Sequence, residues 1–159
     1  MEEHLNPRAR KVQEAIRSLG YPFEVVELPE STRSAQEAAE AIGCRVEQIA
    51  KSIVFSTAKG EMPLLIIASG SNKVNELRIS EYLGEPIQKA GADFVRASTG
   101  FSIGGVPPVG HLKKLQIFID EDLLKCEEIW AAAGTPHAVF RLTPTDLVKM
   151  TKAKVISIT

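Results

Sequence analysis

The chain has 159 residues, 44% hydrophobic and 25% charged, with 19 Lys and Arg against 20 Asp and Glu for a net charge of −1. These values fit one globular domain spanning residues 1–159 with a sizeable core, and they exclude extensive disorder and any global basic field that would hold long nucleic acid or DNA. No run approaches the about 18 apolar residues of a membrane span, Met1-Glu2-Glu3-His4 is too acidic for a signal peptide, and Cys44 and Cys126 lack metal-type spacing, so a cytoplasmic chain with two free buried thiols is expected.

Asn6-Pro7 opens a helix, with Asn6 as cap and Pro7 in the first turn; Val12, Ala15, Ile16 and Leu19 follow at helical spacing and Gly20 stops it. Phe23 to Leu28 reads as a short strand. Ser34 and Glu37 form a capping box for a second helix with an Ala35, Ala38, Ala39, Ile42 stripe, ended by Gly43. These two small helices are expected on one side of a sheet. Ala50–Ser56 and Met62–Ala68 flank Ala58-Lys59-Gly60-Glu61 as a hairpin, apolar on both parities and therefore covered on both faces. Lys51 is anomalous there: it is a cation at the head of a central strand, either an edge lysine laying its stem over apolar surface or a functional group.

Further along, Val74–Leu83 and Ala92–Ala97 read as helices, Gln116–Asp120 as a strand, and Asp122–Lys125 as a turn or short helix. Ile129–Ala133 and Ala138–Leu142 form a strand pair around Gly134-Thr135-Pro136-His137. Thr143-Pro144-Thr145-Asp146 begins the last helix, and Lys154–Ile158 is the closing strand. The fold class expected is α+β: a mixed, mostly antiparallel, barrel-like sheet surrounded by short helices.

The stretch Ser98 to His111 holds four of eleven glycines, two of nine prolines and one of three histidines. Its glycines permit positive φ and close approach to a ligand, while Pro107 and Pro108 stiffen the second half of the loop. Such a loop either merely connects elements or aims backbone N–H groups at an oxyanion or phosphate. Other chemistries find no support. There is no nucleophile elbow, no Walker loop, no dinucleotide fingerprint, and no zinc spacing among His4, His111, His137, Cys44 and Cys126. Neither a metal nor a cofactor is expected. A lysine on a core strand, a backbone-rich loop and two histidines on turns suit electrostatic binding of an anionic or ester-bearing ligand.

The run Ala50-Lys51-Ser52-Ile53-Val54-Phe55, the stretch from Arg96 through Ser98-Thr99-Gly100-Phe101 and Gly104-Gly105-Val106-Pro107-Pro108 to His111, and the helix start Leu142-Thr143-Pro144-Thr145-Asp146-Leu147 resemble the YbaK/ProX family. Its members are free-standing relatives of the editing domain inserted in bacterial prolyl-tRNA synthetases, and the resemblance runs over nearly the whole chain. It implies hydrolysis in trans of a mischarged small amino acid from tRNA, with the acceptor end of the aminoacyl-tRNA as partner and transient contact with a synthetase. Lys51 matches the family lysine needed for deacylation and for holding the tRNA end. Gly104 and Pro108 match the G-x-x-x-P loop around the ester, and Gly105 belongs to that loop. Ser98, Thr99, Gly110 and His111 flank it as substrate-binding candidates.

Attack in this family comes from water or a substrate group. Cysteine-removing members carry a serine near the position of Ala132, which argues against a cysteinyl substrate. Gly134-Thr135-Pro136-His137 resembles members acting on seryl- or threonyl-tRNA, with His137 offering a hydrogen bond to the substrate hydroxyl; alanine or cysteine remain possible substrates. Lys113 and Lys114 are either a local RNA contact or a solvated turn. Two rival readings stand beside this one: a non-catalytic module binding aminoacyl-tRNA or a nucleotide, and a hydrolase of another small acyl ester.

Overall fold

The computed structural model describes residues 4–159, so Met1-Glu2-Glu3 of the acidic amino terminus lie outside the described residues. Helix α1 (Pro7–Ser18) is capped by Asn6, whose side chain accepts from the Arg8 N–H, and buries Ala9, Val12 and Ile16. Strand β1 covers only Val25–Glu27. Helix α2 (Ala35–Ile42) carries the Ser34/Glu37 capping box and ends on Gly43 in the left-handed conformation. Then come β2 (Ile49–Thr57), β3 (Pro63–Ser69), α3 (Glu76–Leu83), β4 (Ile87–Lys89), α4 (Ala92–Thr99), β5 (Gln116–Asp120), β6 (Ile129–Ala132), β7 (Ala138–Leu142), α5 (Pro144–Thr151) and β8 (Lys154–Ile156). Among the described residues, no helix is long and apolar enough to cross a membrane.

The eight strands form one mixed sheet in the order β1-β7-β6-β2-β3-β5-β8, with β4 also on β2. The α+β class is as expected, but the sheet stays open instead of taking a barrel form, since β1 and β8 lie at opposite ends of that order. Four pairings are antiparallel (β1·β7, β2·β3, β2·β4, β6·β7) and three parallel (β2·β6, β3·β5, β5·β8). β4 escapes the sequence reading because Ile-Gln-Lys has no strand signature of its own; it is extended because it lies against β2.

β2 organises the sheet. β3 pairs with one edge from Ala50 to Ser56. On the other edge β6 pairs only with Ile49 and Ala50, and β4 only with Phe55 to Thr57. Residues 51–54 therefore have an unpaired edge inside an otherwise central strand. The Ala90 N–H donates to the Val54 carbonyl at 3.2 Å. Peptide groups alternate in direction along a strand, so that of Ser52 also faces the gap.

The apolar residues of both parities need separate covers. α1, α4 and α5 pack with Ala50, Val54, Ala131 and Phe140 on one face. On the other face α2 covers Ile49 and Trp130, while α3 covers Phe55, Leu64 and Ile66. The expectation that α1 and α2 share a face is thus corrected, because Ile49 and Ala50 are adjacent on one strand and point oppositely. Both cysteines are free; Cys126 is buried as expected, whereas Cys44 is only half-buried. Burial pushes both thiols up, which makes them poor thiolates.

Asp120, at the end of β5 and 1% exposed, fastens the sheet end nearest the site. Its carboxylate accepts from the Ser69 N–H at 3.0 Å, the Asn72 side-chain amide at 2.8 Å and the Asp122 N–H at 2.9 Å. Asp120→Ala leaves those donors without their acceptor and is expected to cost about 2–3 kcal/mol in urea unfolding. An unchanged urea midpoint would refute this role.

Candidate functional site

A cleft of about 390 Å³ opens at the unpaired edge of β2. Its floor is the strand itself from Ile49 to Val54. One wall is the start of α2 with Thr32, Arg33, Ser34 and Ala35; another is the loop at Ile103, Gly104 and Val106. Lys89 and Ala90 close one end, and Trp130, Ala131 and Ala132 the other. The wall of Thr32–Ala35 is held by the turn after β6: the Thr32 hydroxyl donates to the Pro136 carbonyl at 2.9 Å, and the Leu28 N–H donates to the His137 carbonyl at 2.7 Å.

Lys51 is half-buried and, among the described residues, has no ion-pair partner. By strand alternation it shares a face with Ile49 and Ile53, so it occupies the strip between the patches under α2 and α3. Burial pulls its pKa below the ordinary lysine range; the charges of Lys73 and Lys89 add to this, and Asp120 opposes it. An unpaired, partly desolvated ammonium beside other cations attracts an anion, and no native carboxylate supplies one here.

Of the loop glycines, Gly104 reaches the cleft. Its φ is +92°, and a Cβ there would stand 2.8 Å from Arg33 Cγ, so strain and crowding both favour glycine. Gly105 is committed elsewhere. Its N–H donates to the Ser102 carbonyl at 3.0 Å, and its carbonyl accepts from the Gly134 N–H at 2.9 Å. It is buried outside the cleft lining, which removes it as an oxyanion donor.

The remaining sequence candidates lie apart from this cleft. Ser98 and Thr99 are buried in the last turn of α4. The Thr99 hydroxyl donates to the Val95 carbonyl at 2.8 Å and accepts from the Phe101 N–H at 3.0 Å, so it fastens the loop and does not meet a ligand. Pro108, Gly110 and His111 line a separate groove. His111 donates from Nε2 to the Pro107 carbonyl at 2.6 Å, and burial holds its pKa below the usual histidine range, which favours this neutral tautomer. His137 is exposed and outside the cleft; its Nδ1 donates to the Glu30 carbonyl at 3.0 Å. It braces the wall, and its expected role in reading a substrate hydroxyl gives way to that tether.

Three cleft residues were not singled out as ligand groups from sequence. Arg33 precedes the visible cap Ser34, but nothing in the chain marks it as a cleft residue. Lys89 sits on β4, a strand without a signature. Ser52 lies next to Lys51 on the open edge, and its hydroxyl is buried with no hydrogen-bond partner among the described residues. Ala132 does line the cleft, and it presents no polar side-chain group there.

Gly105→Ala is expected to act on stability. The added Cβ would lie 3.0 Å from three backbone atoms of Thr135. Overpacking against backbone is expected to cost about 1–3 kcal/mol, read as a lowered urea midpoint. Unaltered unfolding together with a lost activity would return Gly105 to the site.

The model of the aminoacyl-tRNA editing domain matches residues 29–150. A solved structure of a proposed trans-editing enzyme for prolyl-tRNA synthetase is 47% identical, with a TM-score of 0.92 over 98% of each chain. The uncharacterized protein YwhH of Bacillus subtilis is 30% identical over 132 residues, 83% of each chain. Proline–tRNA ligase of Limosilactobacillus fermentum is 32% identical over 94 residues, which are 57% of this chain but only 16% of that enzyme. With its lysine-bearing strand, its glycine loop and the cleft between them, the chain belongs to the aminoacyl-tRNA editing domain family.

Proposed function

We propose that the protein is a trans-acting aminoacyl-tRNA deacylase that releases a mischarged small amino acid from the terminal adenosine of tRNA. The observation that carries this reading is Lys51: an unpaired, half-buried cation in a cleft of about 390 Å³ on an open strand edge. The likeness to a proposed trans-editing enzyme for prolyl-tRNA synthetase supports it, as does family membership. On this reading contact with a synthetase is transient.

The chemistry asks little of side chains. No Asp, Glu, His or Cys lines the cleft among the described residues, so no side-chain general base stands beside Ser34 or Ser52. Where water adds to the ester carbonyl, the bond from acyl carbon to ribose oxygen breaks, the ribose oxygen takes up the proton the water gives, and the free amino acid leaves; where a group on the substrate adds, the same bond breaks, the ribose oxygen takes that group's proton, and the acyl group leaves as a cyclic product that water then opens. An ester is already activated, so holding it against fixed dipoles suffices. The peptide groups at Ser52 and Gly104 face the reacting carbonyl, and each well-placed donor is worth about 3–4 kcal/mol of barrier. Lys51 holds a phosphate or ribose oxygen of the terminal adenosine as a point charge, with Arg33 and Lys89 on the rim.

The favoured substrates are seryl- and threonyl-tRNA, with alanyl and cysteinyl esters as alternatives. The support is Ser52: it lines the cleft, and its buried hydroxyl, partnerless among the described residues, is free to pair with a substrate hydroxyl. Ala132 offers a thiol nothing. A module that binds without turnover, or a hydrolase of other small esters, would share the cleft. Both are separated from this reading by a panel of mischarged tRNAs assayed beside matching small esters.

Lys51→Ala is expected to fold normally and to lose deacylation on the order of 10²-fold; near-wild-type turnover on the best substrate refutes its role. Ser52→Ala is expected to slow seryl and threonyl release about tenfold relative to alanyl release. Equal effects on all three esters would mean the hydroxyl does not read the substrate.

A further inference from the structure

The glycine loop leaves the cleft at Val106 and carries Pro108–His111 to a second concavity, a groove of about 540 Å³. Four lysines line it. Lys113 and Lys114 follow the loop, while Lys152 and Lys154 flank the turn from α5 into β8. The parallel register of β5 with β8 sets Lys154 beside Phe118, which brings the two lysine pairs together. All four are exposed and none is ion-paired among the described residues, and no Asp or Glu lines the groove. Lys152 also occupies a left-handed position, φ +54°, where glycine or asparagine is the usual low-cost residue. Four uncompensated cations in a chain of net charge −1 form a local anion-binding surface that bulk composition conceals.

We propose that this groove binds the phosphate backbone of the same RNA whose acylated end enters the cleft. The identity of that RNA as an aminoacyl-tRNA rests on the deacylase reading; the polyanion chemistry does not. The two sites are joined by one stiff loop. From Gly104 to Gly110 the chain spans at most about 20 Å, so a single RNA reaches both. Lysines meet phosphates as point charges and carry no sequence information, which suits a surface that anchors the RNA while the cleft selects the acyl group.

The test uses the full chain and uncharged tRNA, with binding followed by fluorescence anisotropy at several salt concentrations. The variants are Lys113→Gln/Lys114→Gln and the same pair combined with Lys152→Gln/Lys154→Gln, each checked for an unchanged melting temperature. Removing one lysine–phosphate pair lowers the slope of log K against log salt by about 0.7–0.9, so the quadruple variant is expected to lose about 3 and the double variant about half of that. For mischarged tRNA, KM rises with kcat unchanged, while hydrolysis of a 3′-aminoacyl adenosine, which carries no phosphate backbone, matches wild type. An unchanged salt slope overturns the proposal. So does an equal loss on the 3′-aminoacyl adenosine, or intact tRNA binding with lost association to a synthetase, which would make the groove a protein-docking surface. The binding arm needs no turnover: a reduced slope in a protein that hydrolyses no mischarged tRNA keeps the groove and removes the deacylase reading.

Discussion

A strand that is central for most of its length and lacks a neighbour on one edge around Ser52 is the constraint on which the site depends. β2 has β3 along one edge, but its other edge is shared by two short strands that do not meet. Between them the peptide group of Ser52 has no ladder partner, and burying it without one would be costly. It is tolerated because it lines a cleft. The same interruption lets Lys51 sit in the heart of a sheet without a countercharge, since its ammonium faces the strip that α2 and α3 leave uncovered.

The walls of the cleft are braced against each other through main-chain contacts. Gly134 donates to Gly105, and the turn beyond it holds the segment before α2 through Thr32 and Leu28. The wall carrying Arg33 and the wall carrying Gly104 therefore depend on one turn. Close approach of Gly105 to Thr135 is what this bracing requires, and it explains why two consecutive glycines do different work: Gly104 faces the cleft and Gly105 supports it. His137 and Thr99 likewise fasten segments of chain, so polar residues near a site can be structural even where their chemistry would suit a ligand.

Electrostatics here is a matter of placement. Near-neutral composition rules out a molecule uniformly attractive to RNA, yet cations gather on the cleft rim and along the groove reached by the same loop. Local fields of this kind act over roughly a Debye length, about 8 Å at physiological salt. They favour transient, salt-sensitive contact over tight retention.

The sequence by itself determined the elements whose signals are local. The capped helices α1, α2 and α5 and the β2–β3 hairpin follow from caps, stops and β-branched runs, and Lys51 stood out because a cation contradicted its own strand's pattern. Gly104 came into view through the family resemblance, which matches Gly104 and Pro108 to a G-x-x-x-P loop. What only the tertiary structure decided was adjacency. β4 is a strand because β2 is beside it, α1 and α2 lie on opposite faces because neighbouring residues of β2 point apart, and Arg33 and Lys89 join Lys51 and Ser52 only when segments distant in the chain converge. Pro108, Gly110 and His111 are close in sequence to Gly104 yet belong to another groove, because a stiff loop carries its two ends to different places. Local propensity is written residue by residue, whereas a site is a set of distances between segments, and those distances are set by the sheet.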